Sequence, residues 1–265
     1  MSKKVLALAL VLVLMVGVFA GCSKQEAPVD ESSKPVDTTD TQAGDLVDGT
    51  YLVKNPVSDH GNYQMVKLEV SGGQVVAFDF NEYLSDSGEA KSADNYAYAD
   101  GLAVIANLNE QFNEKKDLDA IDYDAVSGAT STKGSFKEIV AVALEKAAKG
   151  ETYEPVYEDG VYEAVADEDS HGWLAQVSVR VQDGQIVGVD YAELAIEDSE
   201  DAKEGDRKSV DNYPYPRPME VAEELHKMII DNNGTENLDV DAITGATSTR
   251  GLVLELVNEA LSSAK

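Results

Sequence analysis

Cysteine is almost absent from this sequence: Cys22 is the single one in 265 residues. One thiol cannot form an intrachain disulfide. It also cannot supply the ligands of an iron–sulfur cluster, a Cys-x-x-Cys-His haem attachment or a thiolate zinc site. We therefore expect no metal centre, and any redox chemistry must come from an organic cofactor.

Basic residues are also scarce, with 21 Lys and Arg against 50 Asp and Glu and a formal net charge of −29. Such a balance argues against nucleic acid as a partner and against adsorption to anionic lipid. It favours solubility outside the cell and electrostatic steering toward basic partners.

Long apolar runs are missing except at the start, where Val5–Ala20 follows Lys3 and Lys4 and precedes Gly21 and Cys22. The run is short for a spanning helix. It resembles a bacterial lipoprotein signal, which implies removal of residues 1–21 and lipidation of Cys22, although Phe19 departs from the usual aliphatic residue. An uncleaved anchor with an incidental cysteine is the alternative. Whether the released peptide is itself a secreted signal stays open.

Residues 22–45 are polar and lack aromatic side chains, which predicts a disordered tether. Beyond them the chain repeats. The first half of the repeat recurs at a spacing of 111 residues, and its second half at 117. This difference places an insertion in the second copy between about 188 and 210, within the polar stretch 197–208.

Each copy predicts three strands, a helix, a turn and a final helix. The strands are expected at 51–53, 63–70 and 74–80 in the first copy, and at 160–165, 174–181 and 185–191 in the second. The middle helices are expected at 99–113 and 217–231. The predicted fold class is therefore α+β, as two tandem homologous domains at 46–150 and 155–265, each a small antiparallel sheet with packed helices.

One eleven-residue phrase occurs at 124–134 and again at 241–251, with eight identical positions. Each copy precedes an amphipathic helix, whose first N–H groups lack partners and suit a phosphate. Hydroxyls and one cation, Lys133 or Arg250, would surround that anion. An ordinary Ser/Thr-capped helix start is the alternative interpretation.

This phrase resembles the covalent FMN-binding domain family, whose pattern is Asp-x-x-Ser/Thr-Gly-Ala-Thr. The family includes the C subunit of the sodium-pumping NADH:quinone reductase, the G subunit of the Rnf complex and flavin-bearing lipoproteins of Gram-positive extracellular electron transfer. The last group is the nearest in layout. The residues that meet the pattern, and that the resemblance implies as cofactor-binding, are Asp124, Ser127, Gly128, Ala129 and Thr130, and Asp241, Thr244, Gly245, Ala246 and Thr247.

The resemblance implies that Thr130 and Thr247 each carry one FMN through a phosphoester bond, installed by a flavin transferase. Thr132 and Thr249 are the alternative attachment points. The surroundings of the flavin are less defined. Four tyrosines could stack on the flavin ring or belong to the core, and two histidines could bond a flavin edge or close a turn: Tyr96, Tyr98, Tyr213, Tyr215, His60 and His171.

The expected function is an electron carrier, lipid-anchored on the extracellular face of the cell membrane, rather than an enzyme with its own substrate. The two FMN groups would pass electrons from a membrane NADH dehydrogenase and quinone system to extracellular acceptors such as ferric iron or flavin shuttles. The alternatives are an extracellular flavin-dependent reductase of a specific small acceptor and a non-redox binding lipoprotein. The sequence does not define reduction potentials, electron order, acceptor or oligomeric state.

Overall fold

The computed structural model of the protein describes residues 46–265, which form one compact unit. The predicted signal segment 1–21, the tether 22–45 and the lipidation site Cys22 lie outside the described residues. Within the described part, no helix combines the length and apolar character needed to cross a membrane.

The first repeat is a three-stranded antiparallel sheet in the order β1-β2-β3, with two helices packed on one face. Its elements are β1 (Gly49–Lys54), β2 (Asn62–Ser71), β3 (Gln74–Leu84), α1 (Ala99–Lys115) and α2 (Thr130–Lys149). The alternation in β2 explains the packing, because Val66, Leu68 and Val70 point toward the helices and are buried.

The second repeat has the same order and the same sheet topology. Its elements are β4 (Gly160–Val165), β5 (Trp173–Gln182), β6 (Gln185–Ala195), α3 (Arg217–Asn232), a short 3-10 helix (Val240–Ala242) and α4 (Thr247–Leu261). The α+β prediction is confirmed for both repeats. The third strand of each is longer than predicted, ending at Leu84 and Ala195.

The insertion of the second repeat lies in the loop after its third strand, as predicted. A bridge between Tyr83 and Ala90 closes this loop in the first repeat, and a bridge between Leu194 and Arg207 closes the longer loop in the second. The extra residues therefore lengthen the loop and leave the paired strands unchanged.

The two repeats share a buried contact. Tyr63 and Tyr83 of the first sheet stack at 5.7 Å and belong to the core of the second repeat. The Tyr63 hydroxyl donates to the Val187 carbonyl at 2.6 Å, and the Val189 N–H donates to the Ser85 carbonyl at 3.0 Å. The division into domains 46–150 and 155–265 stays a prediction, since side chains of the first repeat complete the core of the second.

Lys54 strengthens the same contact from the edge of the first sheet. Its ammonium donates to the Ile186 carbonyl at 3.1 Å and to the Ile230 carbonyl in the last turn of α3. Burial lowers the pKa of Lys54 to about 8, against a smaller opposing effect of Asp231.

Candidate functional site

The duplicated phrase forms a left-handed turn directly before α2 and α4. Gly128 and Ala129 have φ of 89° and 42°, and Gly245 and Ala246 have 80° and 41°. A left-handed alanine costs about 1–2 kcal/mol, and backbone strain of this kind is concentrated at functional sites. The same strain is present in both repeats, so both turns hold the backbone in one uncommon shape.

No side chain caps either helix at this turn. The N-cap residues are Ala129 and Ala246, neither helix has a side-chain cap hydrogen bond, and no acidic residue lies in either first turn. Neither helix therefore has a capping side chain or an acidic residue of its own in the first turn to offset the positive end of its dipole. This does not support the interpretation of the phrase as a Ser/Thr cap.

The cations of the phrase contact backbone carbonyls of the preceding loop. Lys133 donates to the Val126 carbonyl at 2.6 Å, and Arg250 donates to the carbonyls of Val240 at 2.8 Å and Ile243 at 3.1 Å. Both side chains therefore stabilise the loop that leads into the turn. Their predicted contact with an anion stays a prediction, because each has further N–H donors.

The threonines of each first turn divide into an exposed and a buried one. Thr130 and Thr247 begin their helices and are exposed. Two residues later, Thr132 is 6% exposed, and its hydroxyl donates to Glu82 at 2.8 Å. Thr249 is buried in the same way, at 7%.

The remaining predicted residues lie around these turns on the surface. Asp124, Ser127 and Gly128 are exposed, and so are their counterparts Asp241, Thr244 and Gly245. A Cβ added to Gly128 would meet only Asp100, at 3.7 Å, so the turn is open to a bulky group. Within each repeat, the predicted residues therefore lie together at one turn.

Sequence reasoning missed a buried ion pair in each repeat. Lys91 and Glu82 are 2.7 Å apart with side chains 5% and 6% exposed. Lys208 and Glu193 form the matching pair in the second repeat. Because buried pairs rarely add net stability, their presence in both copies suggests a positioning role. The signal was in the sequence, since Lys-Ser-x-Asp-Asn-Tyr occurs at 91–96 and at 208–213.

The candidate aromatic residues lie over these ammonium groups. Lys91 is 4.2 Å from the centre of the Tyr96 ring, and Lys208 is 4.4 Å from Tyr213. Lys208 is also 4.9 Å from Trp173. Half-buried Tyr96 and Tyr213 therefore cover the ion pairs, which is a structural role for both.

The other aromatic and histidine candidates are exposed. Tyr98 and Tyr215 are 64% and 65% exposed at the starts of α1 and α3, and the Tyr215 ring also contacts Tyr213 in a T-shaped pair at 5.6 Å. His60 and His171 are exposed in the turns before β2 and β5, and His171 has a left-handed φ of 55°. The roles predicted for these side chains stay predictions.

A metal site has no counterpart in the described residues. No group of three or more His, Cys, Asp or Glu side chains between 46 and 265 is arranged to hold an ion.

Comparison with known proteins finds a match to one family model. Residues 172–262 match the FMN-binding domain model, and this range includes the second turn phrase together with β5, β6, α3 and α4. The chain is also similar to a solved Clostridium perfringens protein, CPE2226, at 26% identity over 41% of this chain and 93% of that chain. The TM-score between the two structures is 0.35. The search of curated proteins found no significant match.

The match and the geometry agree, since the matched segment contains an open helix N-terminus that suits a phosphate beside an exposed threonine. The first repeat has the same elements and the same turn, although it lies outside the matched range. Over residues 172–262, this chain is therefore similar to the FMN-binding domain family.

Proposed function

We propose that the protein is an extracytoplasmic electron carrier with two FMN groups, one bonded to Thr130 and one to Thr247. The observation that carries this proposal is the duplicated turn, in which a strained alanine presents an exposed threonine at an uncapped helix N-terminus. The match to the FMN-binding domain model supports FMN as the cofactor of the second repeat. The internal repeat is the reason for proposing the same cofactor in the first.

Accessibility favours Thr130 over Thr132 as the attachment point. An external transferase needs a hydroxyl that it can reach, and Thr130 is exposed, whereas the Thr132 hydroxyl is buried and donates to Glu82. The same difference separates exposed Thr247 from buried Thr249. Each repeat would therefore carry its flavin on the first threonine of the helix.

The residues present fit a flavin phosphate. The first N–H groups of α2 and α4 would hold the phosphate against the positive end of the helix dipole. Gly128 leaves space for it in the first repeat, whereas the Arg217 side chain lies close to Gly245 in the second. Exposed Tyr98 and Tyr215 offer faces for a flat ring. When bound, FMN supplies reversible electron uptake, and the chain itself holds and orients the group.

A covalent bond suits a protein that works outside the cell. A flavin with a micromolar dissociation constant is bound by about 8 kcal/mol, so most of it would be lost to a medium that is poor in flavin. The proposed partners are a flavin transferase that installs FMN, a membrane NADH dehydrogenase and quinone system as donor, and extracellular acceptors such as ferric iron or soluble flavins. Lipid attached at Cys22 would anchor the carrier to the cell membrane.

The decisive experiment is intact-mass analysis of the protein after co-expression with a flavin transferase. Wild-type protein is expected to gain the mass of two FMN groups less two waters. Thr130→Ala and Thr247→Ala are each expected to remove one group, and the double variant both. The matched controls are Ser131→Ala and Ser248→Ala, which change an exposed hydroxyl one position along the same helices and should keep both groups.

Peptide mapping of the same samples places each flavin on a residue. An unmodified wild-type mass would contradict the carrier, and a flavin retained by Thr130→Ala would move the attachment to another hydroxyl. Cys22→Ser tests the lipid separately, because intact-mass analysis should then show a flavinylated protein without the mass of attached lipid.

A further inference from the structure

A pocket of about 270 Å³ lies in the second repeat between β6, the loop before α3, and the first half of α3. Exposed Val210 and Glu223 lie among its lining residues, and its surface is mostly apolar. The residues that shape its interior are Tyr191, Glu193, Lys208, Met219, Ala222 and His226.

The pocket reflects a difference between the repeats. Ala222 occupies the position that Ile105 holds in the first repeat, where the isoleucine is 6% exposed and packs in the core. The side chain at this position is therefore three carbon atoms smaller in the second repeat than in the first. The cavity is in contact with the buried Glu193–Lys208 pair, because both residues line it.

His226 leaves an unused hydrogen-bond donor in this pocket. It is 7% exposed, and its Nε2 accepts the Tyr191 N–H at 3.3 Å. Burial lowers the pKa of His226 to about 4, so the ring is neutral at pH 7 and its proton is on Nδ1. Among residues 46–265, Nδ1 has no hydrogen-bond partner.

The equivalent residue of the first repeat leaves no such group. Asn109 accepts the Phe80 N–H at 2.9 Å and donates to the Phe80 carbonyl at 2.7 Å. In the second repeat the corresponding Tyr191 carbonyl accepts from Arg207 at 2.8 Å instead. Replacement of asparagine by histidine thus leaves one ring N–H without a hydrogen-bond partner among residues 46–265, on a side chain that lines the cavity.

We propose that this pocket binds a flat aromatic ring that carries a carbonyl oxygen, with the oxygen accepting a hydrogen bond from Nδ1 of His226. The volume is at the small end for ligand sites and fits a ring system better than a whole nucleotide. Two sources share this chemistry: the ring of the flavin on Thr247, and a free quinone or flavin.

The attached ring has a short route to the pocket. Arg217 at the start of α3 donates to the Thr244 carbonyl in the attachment turn at 2.8 Å, and the next two residues, Pro218 and Met219, line the cavity. This first source rests on the proposed function, whereas binding of a free ring does not depend on it.

The test uses the full chain made without a transferase, with riboflavin and 2-methyl-1,4-naphthoquinone as probes. Titration is followed by calorimetry and by the fluorescence of Trp173, the single tryptophan, which lies beside Lys208. We expect saturable binding that Ala222→Ile weakens at least about 10-fold by filling the cavity, and that His226→Asn weakens about 3- to 10-fold by removing one hydrogen bond. The control Ala106→Ile adds the same side chain at an exposed position of α1 and should leave binding unchanged.

Repeating the titration with flavinylated protein separates the two sources. If the probe is excluded, and Ala222→Ile shifts the absorbance spectrum of the flavin on Thr247, the attached ring occupies the pocket. If the probe still binds, the site takes a free molecule. Both results support the pocket as a ring site.

Two results would overturn it. One is probe binding that neither Ala222→Ile nor His226→Asn alters. The other is no binding of either probe, together with an unchanged flavin spectrum in Ala222→Ile. A protein that stays unmodified at Thr247 would instead defeat the proposed function, and the titrations of the unmodified chain would still decide the pocket.

Discussion

The two repeats have the same turn but different surroundings. In both, an alanine at φ near 40° precedes an exposed threonine, and a buried Glu–Lys pair lies nearby. The hydroxyl that donates to the glutamate of this pair differs between the repeats. Thr132 donates to Glu82 in the first repeat, whereas Tyr191 donates to Glu193 at 3.0 Å in the second.

The second difference between the repeats lies between the third strand and the helix that follows it. Asn109 and Ile105 fill this position in the first repeat, while His226 and Ala222 leave a pocket in the second. The duplication has therefore preserved the part that would attach the cofactor and varied the part that would contact its ring. Two attached flavins would then have different environments.

The largest effect is expected from breaking the buried ion pairs. Lys91→Met should lower the free energy of unfolding by about 3–5 kcal/mol, because it leaves the Glu82 carboxylate buried without its cation. Lys208→Met should cost less, since Glu193 is more exposed, at 12% against 6%. Urea unfolding followed by circular dichroism measures both. The double variant Glu82→Gln/Lys91→Met should recover part of the loss, and equal costs in the two repeats would contradict the comparison.

The next effect is a pH dependence that belongs to the second repeat. His226 has a pKa of about 4 in the folded protein and 6.5 in the unfolded chain, so the unfolded state binds more protons between these values. The stability contribution is complete above pH 6.5 and is lost as the pH falls to 4, by about 3 kcal/mol in total. His226→Asn, which copies Asn109, should flatten this part of the curve.

The reverse exchange is its control. Asn109→His should add a second acid-sensitive group to the first repeat, and so make the loss of stability below pH 6.5 steeper. Urea unfolding at a series of pH values measures the difference between each variant and wild type, which removes the contribution of the many carboxylates. Parallel curves for wild type and His226→Asn would show that the histidine is not buried neutral.

A smaller loss is expected where the repeats touch. A Cβ on Gly188 would lie 2.3 Å from the Gly88 backbone nitrogen, too close for any contact. Gly188→Ala should therefore destabilise the protein by about 1–3 kcal/mol and lower the thermal midpoint. Gly251→Ala is the control, since a Cβ there meets nothing within 4 Å and alanine favours the helix. No loss in Gly188→Ala would mean that the repeats separate easily in solution.

Much of this fold follows from local sequence patterns. The two repeats, their strand and helix order and the two turns are predicted by apolar periodicity and by the duplicated phrase. The residues that form the contact between the repeats were not predicted, although β2 carries a signal: Tyr63 and Met65 are apolar on the face opposite Val66 and Leu68. Strands with two apolar faces are covered on both sides.

The site was predictable only where its residues are neighbours in sequence. Thr130 and the turn before it are contiguous, so the phrase defines them. Glu82 lies in the last residues of β3, whose polar side chains led to the prediction of a loop there. Its contacts with Lys91 and Thr132 form only in the folded protein. The contact of Lys133 with the Val126 carbonyl was not predicted, because sequence gives the position of a charge but not the carbonyl that it contacts.

The smallest effect should be equal in the two repeats. Ala129 and Ala246 have φ of 42° and 41°, a conformation that costs alanine about 1–2 kcal/mol and glycine almost nothing. Glycine gains about 0.5–1 kcal/mol of extra freedom in the unfolded chain. Ala129→Gly and Ala246→Gly should therefore each stabilise the protein by about 0.5–1 kcal/mol, measured by urea unfolding. Gly128→Ala, at φ 89°, should destabilise it for the same reason. If the two alanine variants differ in sign, the turns are not the equivalent elements on which the comparison depends.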